Sequence, residues 1–117
     1  MKKSTNTQEL GKAGEEEASK YYKSRGFTLV AQNYRYKRGE IDLIARKENL
    51  IVFVEVKYRK NEKFGFPEEF VSEGQKERII SAADNYIQDN HWTGSIRFDI
   101  IALNGKLEMQ HFEDAFY

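Results

Sequence analysis

The sequence feature that most restricts the fold is the run Leu50–Val54, in which five apolar residues follow one another directly. Such a run predicts a buried strand, yet Glu55 and Lys57 follow it almost at once. Burying a charged side chain costs free energy, so charges rarely interrupt an apolar strand without a function. We therefore treat Glu55 and Lys57 as candidates for chemistry, with a solvated strand end as the alternative.

Helix and strand signals on both sides of this run set the order of the elements. A glycine cap at Gly26 ends a first helix, a capping box at Ser72–Gln75 begins a second, and Asn104–Gly105 predicts a hairpin turn. The predicted helices cover Thr7–Ser24 and the stretch from the Ser72 cap to about Asp89, and the predicted strands cover Phe27–Tyr34, Glu40–Arg46, Leu50–Tyr58, Ser95–Leu103 and Lys106–Phe112.

The resulting order is αβββαββ. Its central strand–helix–strand unit predicts a parallel pair with a right-handed crossover, whereas the hairpin before it is antiparallel. We therefore expect an α/β (α+β) domain with a mixed sheet of about five strands flanked by helices. The 117 residues fit one domain, 1–117, in which the polar residues 1–6 are expected to be flexible.

Composition removes several classes of function. No apolar run is long enough to span a membrane and no signal-peptide core follows Met1, so we expect a cytoplasmic protein. The absence of cysteine excludes disulfides, thiolate zinc sites and a cysteine nucleophile, and two distant histidines disfavour a histidine-rich metal site. The net charge is zero, so any basic surface that binds nucleic acid must be local.

The hairpin register decides whether acidic side chains meet. If residues 48–49 form a two-residue turn, Lys47 faces Leu50 and Asp42 then lies directly opposite Glu55. Opposed residues have Cβ atoms about 4.5–5.5 Å apart. Two carboxylates at that separation raise a pKa unless a cation lies between them. A hard divalent cation such as Mg²⁺ or Mn²⁺ is the natural third party, because it takes oxygen ligands and retains water.

Lys57 is expected on the face of Glu55, because side chains two apart in a strand share a face. There it would orient the attacking water or stabilise phosphate charge. A three-residue loop would instead place Asp42 opposite Val54, away from Glu55, unless a bulge restores the phase. A second alternative is a structural pair of Glu40 with Lys57, which would also neutralise Glu55.

Basic residues interleaved with tyrosine flank both strands of the hairpin. The clusters are Arg35-Tyr36-Lys37-Arg38 and Lys57-Tyr58-Arg59-Lys60. In the same register Arg38 faces Arg59, so the clusters converge beside the carboxylates. Cations suit phosphates and rings suit bases, which predicts a DNA partner; a solvated strand end is the alternative. The loop Asn61–Val71, with its glycine and proline, would close over the substrate.

Five segments occur in order along almost the whole chain: Gly11-x-x-Gly14-Glu15-x-x-Ala18, Gly39-Glu40-Ile41-Asp42-Leu43-Ile44, Phe53-Val54-Glu55-Val56-Lys57-Tyr58-Arg59, Arg97-Phe98-Asp99 and Ala115-Phe116. Together they resemble the YraN-like family of bacterial proteins. The resemblance implies a restriction-endonuclease-like fold and the PD-(D/E)xK nuclease superfamily. The second and third segments are the specific ones.

The resemblance also implies roles for individual residues. Asp42 and Glu55 would be metal ligands, completed by the Val56 carbonyl, and Lys57 would be the catalytic lysine. Glu15 matches an acidic position that often joins such sites, and its alternative is membership of a solvated acidic run.

Two departures concern the flanks of this pattern. Ile41 stands where the superfamily often has proline, and the lysine expected near the start of the second helix is represented by Gln75 followed by Lys76. Either would contact phosphate at the helix N-terminus, where N–H groups favour anions.

The function expected from these features is Mg²⁺-dependent hydrolysis of DNA phosphodiesters, including branched or repair intermediates, without a small-molecule cofactor. One alternative is a module that binds nucleic acid without cutting it. The other is a protein-interaction factor whose charge cluster is structural. A homodimer acting on two strands is an open option that nothing in the sequence requires.

Overall fold

The computed structural model describes residues 7–59 and 70–116, with side chains from residue 11 onward. In chain order its elements are α1 (Thr7–Ser24), β1 (Thr28–Tyr36), β2 (Gly39–Lys47), β3 (Leu50–Tyr58), α2 (Glu73–Asp89), β4 (Ser95–Leu103) and β5 (Met109–Phe112). The predicted order αβββαββ is confirmed. Lys60, the predicted flexible residues 1–6 and most of the predicted closing loop Asn61–Val71 lie outside the described residues.

The five strands form one mixed sheet in the order β1-β2-β3-β4-β5. Strands β3 and β4 are parallel, as the crossover through α2 predicts, and the other three neighbouring pairs are antiparallel. The domain is therefore α+β, and its arrangement is compatible with a restriction-endonuclease-like fold.

The helices cover opposite faces of the sheet. Side chains alternate along the strands, so both faces carry apolar residues that a helix can bury. On one face Ala18 and Tyr22 of α1 belong to a buried cluster with Val52 and Val54 of β3. On the other face the buried residues of α2 pack in a second cluster that includes Phe53. Within the described residues, no helix combines the length and apolar composition that a membrane crossing requires.

Two glycines allow the helices to approach the sheet closely. A Cβ on Gly14 of α1 would lie 3.3 Å from Cδ1 of Leu103 and 3.5 Å from Cγ1 of Val56. A Cβ on Gly39, at the start of β2, would overlap the carbonyl oxygen of Arg78 in α2. Gly14 and Gly39, which both belong to the family segments, thus allow both helices to lie close to the end of the sheet where β2 begins and β3 ends.

The connection between β4 and β5 differs from the predicted two-residue turn. The Oδ1 atom of Asn104 accepts hydrogen bonds from the N–H groups of Lys106 at 2.9 Å and Glu108 at 3.0 Å. The N–H of Asn104 donates to the carbonyl of Glu108 at 3.1 Å. This buried asparagine folds a longer loop, so β5 begins at Met109 rather than at Lys106.

Candidate active site

The hairpin of β2 and β3 has the predicted register over part of its length. Its pairs run from Lys47 opposite Leu50 to Leu43 opposite Val54, as a two-residue turn requires. Among the described residues the pairing ends there, so the predicted continuation toward Glu40 and Lys57 was wrong. Beyond this pair the N–H of Val56 donates to the side chain of Asp42, at 2.7 Å, which takes the place of a backbone carbonyl of β2.

Strand β2 changes phase at Asp42. Ile41 and Ile44 both pack in the cluster that contains α2, although they are three residues apart. Leu43 packs in the cluster that contains α1. On the neighbouring strand Asn33 has a φ of 50°, a left-handed conformation that asparagine tolerates better than most residues. This local distortion aims Asp42 at the gap between the separating strands.

Asp42 and Glu55 lie together at this gap. Both line a cavity of about 170 Å³, whose other residues are Arg38, Gly39, Glu40, Gln75, Arg78 and Ile79. Burial and then the charge of Glu55 raise the pKa of Asp42 to about 8, although the hydrogen bond from Val56 acts in the opposite direction. Burial also raises the pKa of Glu55, against the lowering effect of Lys57. The pair therefore holds a proton that a cation would displace.

Glu55 is held on two sides. Its side chain is 8% exposed, and its Oε2 atom lies 3.2 Å from Nζ of Lys57. The same oxygen accepts a hydrogen bond from Nε2 of Gln75 at 2.9 Å. Ser72 caps α2 through the N–H of Gln75, so the helix start fixes the side chain that holds Glu55. The predicted proximity of Lys57 and Glu55 is thus present, with Gln75 as an additional partner.

Glu15 approaches the same place from α1. Nδ2 of Asn33 lies 3.3 Å from one carboxylate oxygen of Glu15 and 3.2 Å from Oε2 of Glu40. Burial raises the pKa of Glu15, and the charge of Glu40 adds to the increase, while Asn33 opposes it. The charge of Glu15 in turn raises the pKa of Asp42. Glu15 therefore faces the site, unlike the exposed Glu16 beside it.

The alternative in which Glu40 pairs with Lys57 is wrong, because each has another partner. The Oε1 atom of Glu40 lies 3.4 Å from Nη2 of Arg35, and its other oxygen accepts from Asn33. Within the described residues, the ion pair found for Lys57 is the one with Glu55.

The donor set of the site suits a hard cation. Within the described residues no three histidine, aspartate or glutamate side chains converge as metal ligands. Mg²⁺ commonly binds through one or two carboxylates and fills its remaining positions with water and phosphate. Asp42, which is half-buried, and Glu55, which is buried, fit that pattern. The carbonyl of Val56 was predicted as a third ligand. Val56 lies next to Asp42, because its N–H donates a hydrogen bond to the Asp42 side chain.

The predicted basic residues are distributed unevenly around the cavity. Of those predicted to bind nucleic acid and described here, Arg38 and Gln75 line it, whereas Arg35, Lys37, Arg59 and Lys76 do not. Lys37 lies over the ring of Tyr36, and Lys76 lies 3.6 Å from Glu73. The guanidinium of Arg59 lies over the ring of Phe70 at 4.4 Å. Lys60 lies outside the described residues.

Comparison with known proteins identifies the family of the chain. The model of the Uncharacterised protein family UPF0102 matches residues 14–103. The chain belongs to this family. A UPF0102 protein of Cytophaga hutchinsonii is 42% identical over 104 residues, covering 89% of this chain and 92% of its own length. One of Clostridioides difficile is 47% identical over 97 residues, covering 82% and 85%.

The resemblance to the YraN-like family is thereby confirmed. A third relative, a UPF0102 protein of Flavobacterium psychrophilum, is 38% identical over 112 residues and covers 93% of this chain and 94% of its own length. The family match spans Glu15, Asp42, Glu55 and Lys57, and it ends before the predicted segment Ala115-Phe116.

Sequence reasoning missed two polar residues at this UPF0102 site. Arg78 lines the cavity one helical turn after Gln75, and the spacing of three residues along α2 was a signal that could have indicated it. Asn33 links Glu15 to Glu40 from β1, and no sequence signal pointed to it, because its contact depends on the packing of α1 against the sheet.

A second buried polar cluster lies on the α1 face. Oδ2 of Asp99 accepts from the hydroxyl of Tyr22 at 2.7 Å and lies 2.7 Å from Nε2 of His111. Both oxygens accept from Arg97 at 2.9 Å, and Oδ1 accepts from the N–H of Asp114 at 3.0 Å. Burial acts to raise the pKa of Asp99, but these hydrogen bonds lower it to about 2. The cluster joins α1, β4 and β5.

Proposed function

We propose that this chain is a metal-dependent nuclease that hydrolyses phosphodiester bonds of DNA. The observation that carries the proposal is the adjacent pair of carboxyl groups of the half-buried Asp42 and the buried Glu55, with Lys57 bound to Glu55 at the open end of the β2–β3 hairpin. A structural role alone leaves unexplained why two acidic side chains lie where one of them keeps its proton up to about pH 8.

The residues at and beside the cavity have separate roles in this proposal. A bound Mg²⁺ or Mn²⁺ would supply Lewis-acid polarisation of the phosphate and activation of a water molecule. Asp42 and Glu55 would hold the cation, with the Val56 carbonyl as a further oxygen donor, and Glu15 would act through a water molecule of the cation rather than as a third direct carboxylate ligand. Lys57 stabilises the negative charge that develops on the phosphate during attack.

Three further side chains prepare the site. Gln75 fixes the orientation of Glu55 through its hydrogen bond, so the carboxylate does not need to reorganise when the cation binds. Arg38 and Arg78 place two guanidinium groups at the cavity, and such groups recognise phosphate through paired hydrogen bonds. The zero net charge of the chain makes this local placement necessary.

The test is a cleavage assay on linear, nicked and branched DNA with Mg²⁺ or Mn²⁺. Wild-type protein is expected to cut at least one substrate, and Asp42→Asn is expected to abolish cutting. Asp84→Asn, a neutralised carboxylate on the exposed side of α2, is the matched control and is expected to cut normally. A wild-type protein that cuts none of these DNAs, or cutting that persists in Asp42→Asn, would contradict the proposal.

One observation favours a second candidate, a module that binds DNA without cutting it. Glu55 is already neutralised by Lys57 and bound by Gln75, and no set of three acidic or histidine ligands converges in the described residues. This candidate predicts salt-dependent DNA binding that EDTA does not change. Calorimetric titration with Mn²⁺ separates the two, because only the nuclease requires heat of binding that Asp42→Asn removes.

The protein-interaction alternative makes a different prediction. If the charges of Glu55 and Lys57 are structural, replacing both by apolar residues leaves the fold stable and the chain without affinity for DNA. The nuclease proposal expects the wild type to bind DNA and this double variant to lose cleavage.

A further inference from the structure

A cleft of about 890 Å³ lies along α1 and β1, on the side of the candidate site that Glu15 occupies. Every residue that lines it in the described chain is polar or glycine, and none is aromatic or aliphatic. A pocket for a small organic ligand is usually lined mainly by apolar side chains, so this cleft does not suit one. Its charged and amide groups favour a polar occupant.

Three lysines of α1 line the cleft: Lys12, Lys20 and Lys23. At a helical rise of about 1.5 Å per residue, Lys12 lies about 12 Å from Lys20 and about 17 Å from Lys23 along the axis. These distances correspond to about four and about five base pairs of duplex DNA, at about 3.4 Å each. Lys20 is 74% exposed and lies 3.6 Å from Glu17, and no ion pair of Lys12 or Lys23 is found among the described residues.

The cleft is continuous with the candidate site. Glu40 lines both the cleft and the cavity of Asp42 and Glu55, and Asn33 connects Glu40 to Glu15. Glu15 and Glu40 stand at the end where the proposed cation would offset their charge. Three glutamates line the cleft with the three lysines. Glu40 is paired with Arg35 at 3.4 Å, so Glu15 and Glu16 are the carboxylates that the lysines and the proposed cation must outweigh for an anion to bind.

We propose that this cleft binds the sugar–phosphate backbone of duplex DNA next to the bond that the site cuts, a proposal that rests on the nuclease function above. Lysine, serine, asparagine and glutamine are side chains that contact phosphate and sugar, and the cleft presents Ser19, Gln32 and Asn33 beside its lysines. Proteins that hold single strands stack the bases on aromatic rings, which this cleft lacks. A paired strand, whose bases remain stacked, is therefore the occupant, and its sequence does not matter.

The experiment measures DNA affinity against salt concentration with a short duplex and the wild-type carboxylates in place. Ca²⁺ replaces Mg²⁺, because it also takes oxygen ligands and its longer, more flexible coordination is expected to slow cutting. Each lysine that neutralises a phosphate contributes about 1 to the slope of log K against log salt. Lys12→Gln combined with Lys23→Gln is expected to make the slope shallower by about 2, equally for two duplexes of unrelated sequence. Arg46→Gln is the control and is expected to leave the slope unchanged, because Arg46 is exposed at the turn end of the hairpin and its guanidinium lies over Trp92, which packs in the cluster that contains α2.

Each other outcome overturns the proposal. An unchanged slope in the double lysine variant would contradict DNA binding by the cleft. If the wild-type protein nevertheless cuts DNA, the proposed nuclease function still stands. An equal or larger loss of affinity for single-stranded DNA removes the choice of a duplex. A wild-type chain that neither binds nor cuts DNA removes both proposals together.

A second measurement does not depend on charge. The chain has no cysteine, so Lys23→Cys gives one thiol to which a photo-activated cross-linker can be attached. Cross-links to duplex DNA are expected from position 23 and not from Ser95→Cys, which is exposed at the start of β4 beside the β2–β3 turn. Equal cross-linking from both positions would contradict the cleft.

Discussion

The backbone N–H of Val56 donates a hydrogen bond to Oδ2 of Asp42 over 2.7 Å, directly beyond the last pair of the β2–β3 ladder. The side chain thereby replaces a backbone acceptor of β2 and holds the two strands at the point where they separate. The same contact keeps Asp42 beside Glu55.

Asp42 should make the metal-free protein less stable as pH rises. Its pKa of about 8 in the folded state lies above that of an unfolded aspartate, so stability is full below about pH 4 and is lost as pH rises through about 8. The slope for one group is at most about 1.4 kcal/mol per pH unit. Asp42→Asn removes the ionisation and should flatten the profile.

Urea unfolding in EDTA between pH 4.5 and pH 8 measures this effect. The difference in free energy of unfolding between Asp42→Asn and wild type should grow with pH, and the exposed Asp84→Asn should follow wild type. Parallel profiles for wild type and Asp42→Asn would show that Asp42 ionises normally.

Lys57 should be needed for cleavage more than for folding. Lys57→Met keeps the aliphatic length and removes the cation 3.2 Å from Glu55, so cleavage should fall by about 10²–10³-fold. Because Lys57 lowers the pKa of Glu55, Mn²⁺ binding should also require a higher pH in this variant. Cleavage rates and calorimetry at two pH values provide the measurement. Lys57→Arg keeps the charge and should retain more activity; equal loss in both variants would indicate a role other than charge.

Gly39 should be sensitive to a single methyl group. In Gly39→Ala the new Cβ meets the carbonyl carbon of Arg78 at 2.9 Å, and a backbone atom of α2 cannot yield easily. We expect a loss of about 1–3 kcal/mol in the free energy of unfolding and weaker cleavage, because α2 carries Gln75 and Arg78.

Gly11→Ala is the matched control for this substitution. A Cβ on Gly11 has no neighbour within 4 Å, and alanine in a helix is favoured over glycine by about 0.5–1 kcal/mol. Urea denaturation should therefore show opposite signs for the two variants. A stable and active Gly39→Ala variant would mean that α2 can move away from β2 without loss of the site.

Asp99 should stabilise the fold at neutral pH and lose this effect in acid. Its pKa of about 2 lies below the unfolded value, so its contribution is present above about pH 4 and lost as pH falls through about 2. Asp99→Asn breaks a buried ion pair with Arg97 and should cost about 3–5 kcal/mol at pH 7. Urea unfolding at pH 7 and pH 3 should show a smaller difference from wild type at pH 3, and a constant difference would refute the assignment.

The sequence by itself determined the order of elements and the register near the turn. The apolar run Leu50–Val54 specified the central strand, and the short turn after Lys47 fixed which residues of β2 and β3 face each other. These features depend on neighbours in the chain, through side-chain periodicity and turn chemistry, and so they are visible without the fold. Family membership was equally visible, because its segments are local patterns.

Only the tertiary structure decided how the carboxylates meet. The ladder was predicted to continue past Leu43, but it ends there, and Asp42 bonds to the N–H of Val56 instead. Arg78 and the contact of Gln75 with Glu55 depend on where α2 packs, and the position of Glu15 depends on where α1 packs. Distances between elements far apart in the chain follow from helix packing, which at this site is set by the space left at Gly14 and Gly39.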